Sequence, residues 1–303
     1  MIYTCTITPS IDYTTYLPDF ETGTLNRTSE VYFYPGGKGI NVSRVLQRLN
    51  VQSTALGFTG GFTGNFITDF LQREGIKTDF IDTNEITRIN VKIKSGEETE
   101  LNGPGPNIAP KQQAVLLEKI NALREGDWFV LAGSLPDSIP NSFYYQIAEN
   151  CSKQGIRFVL DTSGPALTDL IPTKPFLIKP NQAELGQIFD TEITGKKEAL
   201  HYASRLADYG IQHVIVSMGK DGALLVSGNK KWDAAPPKGK AVNTVGAGDS
   251  LVSGFLASYL RNQNPEEAFR YGVASGSATA FQTDLCNKKD VEALVSEVRL
   301  NQL

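Results

Sequence analysis

The string Asn243-Thr-Val-Gly-Ala-Gly-Asp249 is the segment best equipped for chemistry. Behind it Leu251, Val252, Phe255, Leu256 and Tyr259 recur at helical spacing, so Gly246, Ala247, Gly248 and Asp249 open a helix. Free backbone N–H groups at a helix start, aided by the helix dipole, form a ready anion site. Gly246 and Gly248 let that backbone approach a phosphate closely. Asp249 lies beside it, placed to take a proton from a hydroxyl that attacks a transferred phosphoryl group. Taken alone, an Asp at such a place is more often a helix cap.

Pro35-Gly-Gly-Lys-Gly-Ile-Asn-Val42 is a second glycine cluster before a helical pattern. A tight turn accounts for its glycines but not for Lys38 and Asn41 together at the helix entrance. It is not a P-loop, because Gly39 stands where Ser or Thr would follow the lysine, and no Gly-x-Gly-x-x-Gly dinucleotide fingerprint exists. In Lys179-Pro-Asn-Gln-Ala-Glu184, Asn181 and Glu184 are three apart, on one helix face and within reach of one hydrated Mg²⁺. The same spacing makes a capping box. Only two histidines exist, His201 in a helical pattern and His213 opening an apolar strand, and a Ser-His-Asp hydrolase would have to use one of them. No His-Glu-x-x-His string offers a zinc site.

These segments must be positioned by an alternation of short apolar runs and amphipathic stretches. Strands are expected at Tyr3–Ile7, Ser53–Gly57, Trp128–Ala132, Arg157–Leu160, Phe176–Ile178 and Val214–Ser217. Helices are expected at Asn41–Leu49, Gly64–Gln72, Gln112–Leu123, Phe143–Lys153, Lys197–Asp208 and Pro265–Phe281. Such alternation predicts an α/β fold whose mainly parallel central sheet is covered on both faces. The runs WFVLA and HVIVS fit strands buried on both sides. Two stretches, 12–36 and 87–103, carry strand patterns without a helix and read as a small β-lid. The main unit is then 1–11, 37–86 and 104–303. In RINVKIK, Ile89, Val91 and Ile93 point one way and Arg88, Asn90, Lys92 and Lys94 the other. The polar face, with Arg88 and Asn90, is expected to roof a ligand site. The apolar face needs cover, which a second lid would supply, so a homodimer is expected.

GGKGINVSRVLQRLN and VNTVGAGDSLVSGF resemble the two signature segments of the ribokinase-type (PfkB) carbohydrate kinases, and the similarity runs from TPSID to GVASGSATA. The resemblance implies a ribokinase-like three-layer fold, ATP and Mg²⁺ as cofactors, and Asp249 as catalytic base beside an anion hole of Gly246, Ala247 and Gly248. It assigns Asp12, Gly37 and Asn41 to sugar hydroxyls and Ser134, in LAGSLP, to substrate. Arg27, Lys38 and Arg88 are the cations a phosphorylated substrate would require. The family's Asn-x-x-Glu motif falls on Asn181 and Glu184, after Lys179, and is associated with magnesium and phosphate. Ser217-Met-Gly-Lys-Asp-Gly222 is similar to its ATP-binding turn, which gives Ser217, Gly219, Lys220, Asp221 and Gly222 to the nucleotide. GVASGSATA would flank adenine, or serve close helix packing. Asn243 stands where many members have Asp. TRINVKI and ETELNGPGP are most similar to the phosphosugar-kinase branch, which implies fructose 1-phosphate as acceptor at its C6 hydroxyl, with tagatose 6-phosphate and fructose 6-phosphate as alternatives. A non-catalytic sugar-phosphate sensor on the same scaffold is the rival from another class.

Composition fits this reading. In 303 residues, 29 Lys plus Arg face 33 Asp plus Glu, and the net charge of -4 lacks the basic footprint of a nucleic-acid or anionic-membrane surface. No stretch approaches the ~20 apolar residues of a membrane span. MIYTCTITPS lacks the basic and apolar regions of a signal peptide. Cys5, Cys151 and Cys286 are odd in number and far apart, unlike a disulfide framework or zinc site. A cytoplasmic enzyme acting on small molecules is therefore expected.

Overall fold

The run Trp128–Ala132 is buried at every position, and its alternate side chains feed two separate cores. Phe129 and Leu131 join one apolar layer, Trp128 and Val130 the other, as the two-residue period of a strand dictates. This is the signature of a sheet sandwiched between helices. The computed structural model of the protein describes residues 1–136 and 138–303.

Along the chain come β1 (Ile2–Thr6), β2 (Ser10–Tyr16), β3 (Glu30–Gly36), α1 (Lys38–Arg48), β4 (Ser53–Thr59), α2 (Gly61–Arg73), the short β5 (Lys77–Thr78) and β6 (Ile81–Asp82), β7 (Ile89–Ser95) and β8 (Glu97–Asn102). Then follow α3 (Pro110–Asn121), β9 (Trp128–Ala132), α4 (Asn141–Lys153), β10 (Arg157–Asp161), α5 (Pro165–Leu170), β11 (Leu177–Ile178), α6 (Gln182–Phe189), α7 (Lys196–Asp208) and β12 (His213–Ser217). The chain ends with β13 (Ala223–Ser227), β14 (Lys230–Ala235), α8 (Ala247–Asn262), α9 (Pro265–Ala280), α10 (Lys288–Leu294) and β15 (Arg299–Gln302).

The large sheet has the order β15-β14-β13-β12-β11-β10-β9-β1-β4-β5, with β6 also on β4. It is parallel from β5 to β12 and antiparallel beyond, through β13, β14 and β15. The sequence pattern therefore gave the parallel part and missed this antiparallel extension. Several helices also begin earlier than their apolar periodicity suggests: α1 starts at Lys38, not Asn41, and α2 at Gly61, not Gly64. Those first turns hold one apolar residue each, Ile40 and Phe62, among glycine and polar residues, too few to mark an apolar period.

From β1 the order proceeds one way to β4 and the other way to β9 and β10. That reversal leaves a crevice at the carboxyl ends of the central strands, the place where ligands bind in open α/β sheets. Above it stands a separate four-stranded sheet, β3-β2-β7-β8. Its register puts Asp12, Asn90, Lys92, Lys94 and Tyr34 on one face and Tyr13, Phe33, Val91 and Leu101 on the other. On the apolar face Val31, Phe33, Ile89 and Leu101 are exposed. Among the described residues no helix is long and apolar enough to cross a membrane.

Candidate active site

A cleft of about 470 Å³ at the switch point collects residues from both glycine segments, from the lid and from the strand ends at Ser134 and Lys179. Its floor takes Gly37, Lys38 and Asn41 from the start of α1, Ser134 from beyond β9, Lys179 from beyond β11, and Gly246, Gly248 and Asp249 from the start of α8. Its roof takes Asp12, Arg88 and Asn90 from the small sheet.

The floor is built on two helix starts. Gly246 precedes α8 with φ +79°, a left-handed conformation that L side chains rarely adopt and glycine tolerates. Asp249 is thus the third residue of the helix, in its first turn, and caps nothing with its side chain. Its Oδ2 accepts a 2.8 Å hydrogen bond from Asn41 Nδ2, which joins the two glycine segments across the cleft. At α1, Thr6 Oγ1 at the end of β1 accepts the Ile40 amide at 3.0 Å and pins the helix entrance.

Between the helices lies a buried charge cluster. Asp161, the last residue of β10, receives Lys38 Nζ at 3.2 Å and Lys179 Nζ at 3.4 Å, both on Oδ1. Asp161 Oδ2 is buried with no hydrogen-bond partner. Burial alone would raise the Asp161 carboxyl, but Lys179 and Lys38 outweigh it and hold it below its ordinary range. Burial would likewise lower Lys38, yet Asp161, Asp249 and Glu184 together push it up and keep it charged. For Asp249 burial comes first and the Asp161 charge second, and together they raise its carboxyl to about 6 against the Asn41 hydrogen bond and the two lysines. A carboxylate tuned upward in this way is a better proton acceptor near neutral pH than an ordinary aspartate.

On the roof, Asp12 Oδ1 accepts from Ser10 Oγ at 2.8 Å and from Asn90 Nδ2 at 3.1 Å. Its Oδ2 is 3.3 Å from Lys92 Nζ. Arg88 Nη2 donates to the Thr8 carbonyl at 3.1 Å, while its buried Nε has no partner. Burial pulls the Arg88 guanidinium below its usual value against the nearby Asp12. A half-buried arginine with an unused donor suits an anion bound from the cleft.

The remaining motif residues form a shelf beside the floor. Asn181 and Glu184 make a reciprocal capping box at the start of α6: Asn181 Oδ1 accepts the Glu184 amide and Glu184 Oε2 accepts the Asn181 amide, both at 2.8 Å. Asn181 also bridges in parallel to Ser217, which brings the two segments side by side. Gly219, Lys220 and Asp221 form one exposed turn of 3-10 helix, closed at Gly222 where Met218 N donates to the Gly222 carbonyl. Arg27 sits exposed between β2 and β3, outside this cleft. Asn243 ties its own loop, accepting the Val245 amide at 3.1 Å and donating to the Thr283 carbonyl at 3.2 Å. GVASGSATA is spent on helix packing: a Cβ on Gly272 would stand 2.7 Å from the Leu251 carbonyl of α8.

Sequence reasoning missed Asp161 and gave Lys92 no role. A lone acid closing the apolar run RFVLD was the available signal for the first. The histidines take no part, since His201 is exposed and His213 is buried among Phe176, Phe255 and Tyr259, its nitrogens unpaired.

The profile of the pfkB family carbohydrate kinases matches residues 5–291. A 1-phosphofructokinase of Bacillus subtilis is 52% identical over 303 residues, covering 100% of both chains. A D-tagatose-1-phosphate kinase of Bacillus licheniformis is 36% identical, again over 100% of each. The crystal structure of Escherichia coli phosphofructokinase-2 in complex with substrates and products superposes with a TM-score of 0.93 at 32% identity, covering 97% of this chain and 98% of that one.

Proposed function

The chain belongs to the pfkB family of carbohydrate kinases, and on that premise we propose that it transfers the γ-phosphoryl group of ATP to the C6 hydroxyl of fructose 1-phosphate, giving fructose 1,6-bisphosphate. One observation carries the chemistry: a buried carboxylate, Asp249, in the first turn of a glycine-started helix and facing two lysines.

In this reading Asp249 accepts the C6 hydroxyl proton as that oxygen attacks the γ-phosphorus, and the bond from phosphorus to the ADP oxygen breaks. The amides of Gly246, Ala247 and Gly248 and the Lys38 and Lys179 ammonium groups face the charge on the transferring group. Positioning and electrostatics of this sort supply most of the catalysis in phosphoryl transfer. Arg88 and Ser134 hold the sugar phosphate, Asp12, Gly37 and Asn41 its hydroxyls, and the shelf of Ser217, Gly219, Lys220, Asp221 and Gly222 the nucleotide.

Magnesium fits the donor set. The unpaired Asp161 Oδ2 and the Glu184 carboxylate are acceptors suited to waters of a hydrated cation, and Asn181 holds Glu184 in place. Mg²⁺ usually keeps several waters and binds through one or two carboxylates plus substrate phosphates. When bound, it would neutralise charge on the β- and γ-phosphates.

The lid's outer face suits a second copy of itself, because Val31, Phe33, Ile89 and Leu101 form an exposed apolar surface on a sheet that is polar within. The working unit is then a homodimer, operating in the cytoplasm. The decisive experiment is an ADP-release assay over fructose 1-phosphate, fructose 6-phosphate, tagatose 1-phosphate and tagatose 6-phosphate. The highest kcat/KM is expected for fructose 1-phosphate. Binding without ADP release would instead make the protein a sensor.

A further inference from the structure

Lys92 lies on the inner face of β7, directly opposite Glu100 of β8. A lysine so placed would ordinarily pair with the glutamate facing it, since opposite charges on paired strands are mutual neighbours. Its ammonium instead stands 3.3 Å from Asp12 Oδ2 and 4.0 Å from Glu100 Oε1. The side chain leans diagonally across β2 and is only 12% exposed. Lys94, two residues on, shows the ordinary alternative: it pairs with its facing Glu98 at 3.7 Å and is twice as exposed, at 24%.

The place where Lys92 ends is decisive. Asp12 Oδ1 is already occupied by Ser10 and Asn90, so a sugar hydroxyl settling on Asp12 meets Oδ2, the oxygen shared with Lys92. A carboxylate only accepts and an ammonium only donates, whereas a hydroxyl does both. The pair can therefore engage one hydroxyl in both senses at once, its proton on Asp12 and its oxygen against Lys92.

We infer that Lys92 is a specificity-determining residue of the sugar site, its ammonium donating to the oxygen of the hydroxyl that Asp12 Oδ2 accepts. The inference rests on the kinase reading above and deepens it. An isomer that presents a C–H or a displaced oxygen at this point leaves a partly buried ion pair without its ligand. Sites built to hydrogen-bond a hydroxyl reject analogues lacking it far more strongly than apolar pockets reject a methylene.

Steady-state kinetics of Lys92→Met and Lys92→Arg, with fructose 1-phosphate, tagatose 1-phosphate and fructose 6-phosphate at saturating ATP, test this. Lys92→Met keeps the stem and loses the ammonium. KM for fructose 1-phosphate is expected to rise about 10- to 100-fold, the worth of one charge-assisted hydrogen bond, with kcat within about threefold. KM for ATP stays put, the preference for fructose 1-phosphate over at least one competitor shrinks by about tenfold, and Lys92→Arg recovers part of the loss. An unchanged KM, or an equal loss on all three sugars, overturns the assignment. If Lys92→Met melts well below the wild type, Lys92→Gln is read by the same criteria. A wild type that releases ADP with none of the sugars overturns the kinase reading instead.

Discussion

The two walls of the cleft solve different problems. The floor gathers Asp161, Lys179 and Asp249, all nearly closed to solvent, at the ends of strands and starts of helices in the doubly covered sheet. The roof carries Asp12 and Asn90, with Arg88 just before β7 and Lys92 reaching Asp12 from the neighbouring hollow, on a four-stranded sheet whose far side is exposed and apolar. Buried charges on rigid elements keep their relations throughout a turnover, as electrostatic preorganisation requires. Charges on a thin sheet can differ between relatives without disturbing the core. The contrast assigns chemistry to the floor and choice of sugar to the roof. Floor substitutions should then act on kcat, and roof substitutions on the sugar KM.

The largest effect is expected at Asp249. Replacing it with Ala should lower kcat by about 10²–10⁴, the usual worth of a general base, with modest change in either KM. Near-normal turnover would remove the floor's role. In the wild type the base works only when ionised, so the rate should fall as pH drops through about 6. Next comes Arg88→Ala, expected to raise the sugar KM about 10- to 100-fold while leaving that for ATP nearly intact. Equal loss on both substrates would erase the distinction between the walls.

Asp161→Asn sharpens it from within the floor. Two lysines lose their shared counter-charge, and a drop in kcat/KM of about tenfold is expected from the disordered phosphate contacts. Because the Asp161 charge helps to raise Asp249, removing it should also move the acid limb of the pH–rate profile to lower pH. A limb that stays in place would mean that Asp161 acts through the lysines alone. On the roof, Phe33→Lys puts a charge on the exposed apolar face and should convert the expected dimer to monomer in sedimentation. A wild type that is already monomeric at micromolar concentration would leave that face without its proposed partner.

Legibility in the sequence followed the same division. Helix starts at Gly246–Asp249 and Gly37–Asn41 were readable because glycine, polar side chains and apolar period coincide there. The lid's two faces were readable from the strict alternation in RINVKIK. Asp161 was not, since its meaning comes from Lys38, 123 residues away, and one-dimensional spacing carries no such distance. Strand β15 was missed because it is a four-residue, mostly polar edge that only pairing with β14 defines, whereas β13, ALLVS, carries an apolar run of the same kind as the strands that were read. Asn181 and Glu184 show a third limit. A capping box and a ligand pair share one spacing, and the structure has the box while leaving the other Glu184 oxygen outside it.

The smallest predicted effect bears on what the floor costs. An Asp249 carboxyl raised from 3.8 to about 6 binds its proton more tightly folded than unfolded. Its stabilising contribution is complete below pH 3.8 and is lost as pH rises through about 6, so at neutral pH the ionised base is a liability to the fold. Asp249→Asn removes the charge and keeps the shape. It should therefore stabilise the inactive protein at pH 7.5 by on the order of 1–3 kcal/mol, given 1.36 kcal/mol per pKa unit, and raise the melting temperature by several degrees. The advantage should shrink as pH falls through about 6 and vanish near pH 4, where the wild type protonates the same group. Melting curves across that range separate this account from simple repacking around Asn41, which would give an offset independent of pH. No comparable gain is expected from Asp12→Asn on the roof, where Lys92, Ser10 and Asn90 already compensate the carboxylate.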